Sequence, residues 1–236
     1  MTREEELHKV REVLDAEFEE FVSVAAHQLR EPLRDVASFS QLLAETCAGR
    51  LDAEGAEWLD RIGQGASRMQ SLLAGMVAYA EAGTGDLRPG PVDMEIVLSQ
   101  ALLFADSQIS GRSAVVSHDP LPQVWGDFDS LTKVLHHLIR NAIEYCDEIP
   151  PLVHVSSRRE DLEWVFSVRD NGPGIEPAFR DRIFGAFKRL HGSAYPGTGL
   201  GLAICRKVLA RQGGRIWLDP PPGYGSIFCF ALPAEE

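Results

Sequence analysis

His27-Gln28-Leu29-Arg30-Glu31-Pro32-Leu33 places a histidine and a proline five positions apart inside what otherwise reads as one long amphipathic helix. A proline inside a helix removes a backbone donor and crowds the carbonyl four residues back, at about 3 kcal/mol. The carbonyl disturbed here is that of Gln28, next to His27. Strain collects where chemistry happens, so a distorted turn beside a solvent-facing imidazole points to a histidine that is used. The competing reading is an ordinary polar residue on the exposed side of a helix.

Working outward, the segment from Thr2 to Thr46 holds no glycine and only this proline. Leu7, Val10, Leu14, Phe18, Phe21, Ala25 and Leu29 recur at three- and four-residue steps, and Leu33, Val36, Phe39, Leu42 and Leu43 continue the stripe beyond Pro32. The charges between them are a solvated face. Gly49 to Gly55 breaks the pattern, and Trp58, Leu59, Ile62, Met69, Leu72, Leu73, Val77 and Tyr79 form a second stripe. Two long helices with a short turn make an antiparallel hairpin, whose two apolar stripes one hairpin cannot cover. A second copy would cover them as a dimeric four-helix bundle.

The Gly- and Pro-rich stretch from Ala82 to Pro91 reads as a linker. The expected domains are therefore residues 1–82, a linker over 83–92, and a second domain over 93–236. In the latter the pattern predicts helices over Met94–Ile109, Asp129–Cys146 and Thr198–Gln212. It predicts strands over Ala114–Ser117, Leu152–Ser156, Trp164–Val168, Arg215–Leu218 and Ser226–Leu232. Mixed elements closing on a hairpin indicate an α+β sandwich, one sheet with helices on one face.

Composition narrows the function. The 236 residues carry a net charge of −12, without the basic face of a nucleic-acid binder, although a local basic pocket for a nucleotide is compatible with it. The four cysteines, Cys47, Cys146, Cys205 and Cys229, lack metal or disulfide spacing and read as small buried thiols in a reducing compartment. The acidic N-terminus does not resemble a signal peptide, and no stretch reaches the roughly 18 apolar residues of a membrane span. A cytoplasmic chain without direct membrane insertion is expected, with any sensor upstream or on a separate protein.

Two glycine boxes carry the chemistry. Asp170-Asn-Gly-Pro-Gly174 follows a predicted strand, where its carboxylate could accept a hydrogen bond from an exocyclic amine such as that of adenine. Gly197-Thr-Gly-Leu-Gly-Leu202 opens a helix, where amides and the positive dipole end attract anions. It follows no strand and precedes no Lys-Ser/Thr pair, so it is neither a dinucleotide fingerprint nor a P-loop. Asn141 shares a helix face with His137, and its amide oxygen could hold Mg2+, which shares its shell with phosphates.

In order and spacing, His27 with Pro32, Asn141, the D-N-G-P-G box, I-F-G-A-F-K-R-L-H and G-T-G-L-G-L-A-I-C are a specific set. Together they make residues 18 to 233 resemble the transmitter module of bacterial sensor histidine kinases, in particular the kind attached to phytochrome-like receptors. The resemblance implies a dimerisation and phosphoacceptor hairpin joined to an ATP-binding domain of the gyrase/Hsp90-like class. It implies Mg-ATP-dependent phosphorylation of His27 and transfer to an aspartate of a response-regulator receiver domain. By the same resemblance Asn141 holds Mg2+, Asp170 reads the adenine amino group, Gly172 and Gly174 shape its pocket, and Tyr145 lies against the base. Gly197, Thr198, Gly199, Leu200 and Gly201 line the phosphates, Phe184 and Phe187 anchor a mobile lid, and Arg189 reaches the terminal phosphate. Phosphoryl transfer needs positioning and charge neutralisation, and a neutral imidazole nitrogen is a competent nucleophile.

Three positions depart from the family pattern. Gln28 stands where a proton-accepting Glu or Asp is usual, leaving Glu31 as a carboxylate one turn on. His137 replaces an Asn. Glu144 replaces a Lys or Arg three residues past Asn141, so Arg140 or Lys188 is expected to supply the missing charge. A degenerate kinase kept as a dimeric scaffold is the alternative function.

Overall fold

The first helix, α1 (Arg3–Thr46), runs without interruption through Pro32, and α2 (Ala53–Thr84) returns beside it. The structure, a computed structural model, describes residues 3–84, 86–146, 150–189, 197–220 and 223–234, with side chains of α1 from residue 17 onward except residue 19. Gly49 takes a left-handed φ of 76° in the turn, and the Asp52 carboxylate accepts from the Gly55 amide at 2.8 Å, holding the first turn of α2. The chain divides into two compact units, residues 1–84 and 85–236.

Small residues close the seam of the hairpin. Val22, Ala26 and Ser40 on α1 and Ala66 and Ala80 on α2 are buried, while Leu33, Leu59 and Leu73 are half-buried. The bulkier members of the same stripes are uncovered. Leu29, Val36 and Leu43 on α1 and Ile62 and Met69 on α2 are between 43% and 50% exposed. They interleave with the buried positions at three- and four-residue steps, so each stripe is one face of which the hairpin itself covers only part.

The second unit is built on a five-stranded mixed sheet of β2 (Val115–His118), β4 (Leu152–Glu160), β5 (Glu163–Asp170), β6 (Arg215–Asp219) and β7 (Ile227–Pro233), in the order β2-β4-β5-β7-β6. Only β2 and β4 run parallel. Alternation sorts the faces. Val153, Val155, Phe166, Val168, Phe228, Phe230 and Leu232 are buried, with Phe166 and Phe230 stacked at 4.9 Å. Against this face lie α5 (Phe128–Glu144) and α6 (Gly201–Arg211), with α3 (Met94–Phe104) packed on α5. The opposite face carries Val165, Cys229 and Ala231 under the half-buried Trp217 and Ile227, with Arg215 over the Trp217 ring and paired to Glu163.

Several elements differ from the sequence expectation. Residues 90–92, read as linker, belong to β1 (Gly90–Asp93), which pairs antiparallel with an unforeseen β3 (Gln123–Gly126) through Val92 and Val124. Pro91 and the four-residue length concealed both strands, because Pro donates nothing to a ladder. The expected helix over 94–109 divides at Ala105, whose amide turns back onto Ala101 and Leu102, and α4 (Asp106–Arg112) buries nothing. The helix expected from Thr198 starts at Gly201. Cys146, Cys205 and Cys229 are buried free thiols, but Cys47 is only half-buried.

Helix α5 is the spine of the unit. Leu131, Leu135, Leu138, Ile139 and Ile143 are fully buried on one side. Asp127 caps its start, accepting from Ser130 N through Oδ1 and from Arg88 N through Oδ2, both at 2.8 Å. Burial opposes ionisation of Asp127, but the bonds from Ser130 and Arg88 hold its carboxyl below the usual range. On the flank of α5, burial, then Arg140 and His136, push the His137 imidazole down to about 3 from 6.5. A histidine depressed in the folded state leaves the unfolded state with more protons between those values, so stability is whole above 6.5 and declines on acidification. Between pH 6.5 and about pH 5 this group alone withdraws about 2 kcal/mol. Thermal melting across that interval should show the decline, and His137→Asn should remove most of it. An unchanged pH slope in the variant would refute the assignment.

Candidate nucleotide-binding site

The strand β5 ends at Asp170, where the chain needs a sharp exit across the end of α5. The side chain of Asp170 is buried, and a single oxygen, Oδ1, accepts two backbone amides, Gly172 N and Ser226 N, each at 2.9 Å. Oδ1 is thereby fixed by the main chain. Burial raises the Asp170 pKa, and the bonds from Gly172 and Ser226 offset part of that rise. The loop before β7 approaches just as closely from the other side. A Cβ on Gly225, whose φ is 96°, would fall 1.9 Å from the Asp170 carbonyl oxygen, so only glycine fits there.

Asp170 lines an open cleft in the second unit. Asn141, Tyr145, Gly174, Gly197, Thr198, Gly199, Gly201 and Arg189 line it with Asp170, as the sequence reading expected them to be grouped. Two of the residues expected around the nucleotide do not line the cleft. Gly172 lies behind Asp170 as an amide donor, because a side chain there would meet the Tyr145 carbonyl at 3.2 Å. Leu200 is fully buried, so its side chain belongs to the core and only its backbone adjoins the phosphate-side glycines. His27, Gln28 and Glu31 are exposed on α1, in the first unit.

The glycine-rich wall suits an anion. Helix α6 starts at Gly201 with no side-chain cap, which leaves first-turn amides and the positive end of its dipole facing the cleft. Gly199, with φ of 71°, lets the chain pass the lid root so closely that a Cβ would meet Lys188 O at 3.0 Å. Lys188 and Arg189 add positive charge to the same wall. Of the two phenylalanines expected to anchor a lid, Phe184 is buried edge-on against Phe228, at 6.5 Å between centroids. Phe187 is half exposed and holds a left-handed φ of 59°, unusual for a bulky residue. Lid residues 190–196 lie outside the described residues.

The end of α5 supplies the last wall. Tyr145 is its C-terminal capping residue, and burial followed by the Glu144 charge raises its phenol. Ser226 and Ile175, missed in the sequence, complete the apolar and polar lining around Asp170. The pair Gly225-Ser226 just before the last strand was the available signal. Among the described residues no cluster of three metal-ligating side chains occurs, and no helix is long and apolar enough to cross a membrane.

Known proteins resemble this chain in sequence and fold. Residues 19–85 match the His Kinase A (phospho-acceptor) domain, and residues 126–236 match the histidine kinase-, DNA gyrase B- and HSP90-like ATPases. The chain is 40% identical over 220 residues to cyanobacterial phytochrome A of Nostoc sp., covering 93% of this chain and 29% of that protein. It thus spans under a third of the length of that relative. Among solved structures it resembles full-length ShkA in complex with AMPPNP, with a TM-score of 0.69 and 28% identity over 91% of this chain and 45% of that one. The histidine kinase ThkA in complex with the response regulator protein TrrA shares the fold, with a TM-score of 0.65 at 23% identity over 99% of this chain and 66% of that one. A phosphoacceptor hairpin followed by an ATP-binding sandwich with an anchored carboxylate at the strand end places the chain among the sensor histidine kinases, as their transmitter module.

Proposed function

We propose that this chain is the catalytic core of a two-component system, which takes the terminal phosphoryl group of ATP onto His27 and passes it to an aspartate of a response-regulator receiver domain. The observation that carries the reading is Asp170: one oxygen pinned by two amides, in a cleft whose opposite wall is an uncapped helix start. That pairing suits a ligand with an amine at one end and phosphates at the other, which is ATP. The Asn141 amide lies in the same cleft and would hold Mg2+, which when bound would offset phosphate charge. Asp170 orients the base, Tyr145 flanks it, and the amides around Gly199 and Gly201 receive the phosphates.

In the transfer, an imidazole nitrogen of His27 attacks the terminal phosphorus, an N–P bond forms, and the P–O bond to ADP breaks. The proton on the other ring nitrogen must leave. The Gln28 amide can hydrogen-bond but cannot accept it, whereas Glu31, one turn further on α1 and exposed, offers a carboxylate. The resulting phosphoimidazole then donates to a receiver carboxylate. A cytoplasmic setting, with a sensor elsewhere on the polypeptide or on another protein, suits this chemistry.

The half-covered stripes of the hairpin support a homodimer. Covering Leu29, Val36, Leu43, Ile62 and Met69 with a second copy would complete a four-helix bundle and remove that apolar surface from water, at about 25 cal/mol per Å².

Incubation with terminally labelled Mg-ATP should give an acid-labile phosphoprotein that His27→Gln abolishes. An acid-stable label, or one persisting in the variant, would exclude the phosphoacceptor role. Asp170→Asn, which puts an amide where the adenine amine needs an acceptor, should weaken ATP binding by about tenfold or more. Equal affinity by calorimetry would contradict the base-reading role. For the dimer, sedimentation of Val36→Glu with Leu43→Glu should show a monomer where the unaltered chain shows a dimer. A monomeric unaltered chain would sink the bundle.

A further inference from the structure

Arg140 and Glu144 both line the cleft, on either side of Asn141 along α5. They are one turn apart, and Arg140 Nε stands 3.5 Å from Glu144 Oε1, too long for a charge-assisted hydrogen bond. Among the described residues Arg140 Nε is buried and has no acceptor. The far end of the guanidinium reaches the anion wall, where a Cβ on Gly201 would lie 3.8 Å from Nη2. The pair serves the helix poorly. An acid following a base by four residues is the weaker order, and Glu144 is the last residue of α5, where the dipole disfavours a carboxylate. Burial of Glu144 disfavours its charge further.

Resting on the nucleotide reading above, we infer that Arg140 grips the phosphate chain of the nucleotide and that Glu144 competes for it, so the pair sets how strongly the cleft distinguishes nucleotides by phosphate charge. Before binding, Glu144 holds the guanidinium loosely on α5. A phosphate oxygen near Gly201 would meet the Nη2 end of the guanidinium in a charge-assisted hydrogen bond, which the Glu144 carboxylate at 3.5 Å from Nε does not make. Adenosine, which ends before the phosphates, leaves the pair undisturbed. The cation that the family carries three residues past Asn141 is thus replaced from one residue before it, and the acid beside it becomes a brake on affinity.

Equilibrium binding of ATP and of adenosine to the full chain, in Mg2+, separates the possibilities. Arg140→Gln should weaken ATP by about tenfold and flatten its salt dependence while leaving adenosine within about twofold. Glu144→Gln should strengthen ATP by about threefold with adenosine unchanged, and this gain should shrink in the double variant. Arg140→Lys, which keeps the charge but loses the fork, should fall between. An unchanged ratio of ATP to adenosine affinity in Arg140→Gln would overturn the inference while leaving the nucleotide site intact. Should Arg140→Gln lose adenosine as well, as a misfolded variant would, Glu144→Gln decides alone, and no gain for ATP would overturn it. Failure of the unaltered chain to bind either compound would overturn the nucleotide reading itself.

Discussion

The second unit depends on one carboxylate oxygen. Asp170 Oδ1 collects amides from the turn after β5 and from the loop before β7, the latter 56 residues away from Asp170 in sequence. Without that oxygen, two buried amides at the sheet's end would lose their acceptor, at about 1–3 kcal/mol each. The cost of burying an acid here is visible in its raised pKa. What results is a charged group aimed by the backbone rather than by rotamer preference. The glycines follow from this, because the loop that brings Ser226 to Asp170 passes so near that Gly225 can bear no side chain.

A second carboxylate organises the opposite end of α5. Asp127 caps the helix with one oxygen and holds the incoming chain at Arg88 with the other, while its own amide donates to the Gln212 side chain at 2.7 Å, just past the end of α6. The helix bearing Asn141 is thus fixed at its start to the segment that enters the unit and to the helix that forms the anion wall. A shift of that entering segment is resisted by a partly buried, charge-assisted bond rather than by solvent-exposed contacts alone. The apolar face of α5 sets its roll about the sheet, and the Asp127 cap sets its position along it.

How far the sequence could be read follows from where each signal resides. Periodicity carried α1, α2 and α5, whose apolar residues recur over many turns. It failed for β1 and β3, four residues each, where one buried valine per strand is too short a pattern to distinguish from a linker. The two glycine boxes were legible because close approach demands glycine whatever surrounds it. Leu200 was grouped with the phosphate residues because it lies between Gly199 and Gly201, yet alternation of backbone and side-chain direction sends it into the core. Ser226 escaped for the opposite reason. Its partner Asp170 is distant in sequence, and only the pairing of β5 with β7 brings them together.

An acidic chain binding a polyanion has to build its attraction locally. With a net charge of −12, the long-range field of this protein disfavours a triphosphate. Screening at physiological salt confines that field to about 8 Å, so the contest is settled inside the cleft. There the uncapped start of α6, Lys188, Arg189 and Arg140 face one carboxylate, Glu144, on the phosphate side. The helix start is fixed by folding, and Lys188 and Arg189 follow a few residues after Phe184, which packs on Phe228. Arg140 is held by an opposite charge in the same site. A cation restrained in this way costs little to redirect, because its alternative partner was never a full hydrogen bond. Attraction that is short-ranged and partly held in reserve lets an acidic surface coexist with a selective anion site.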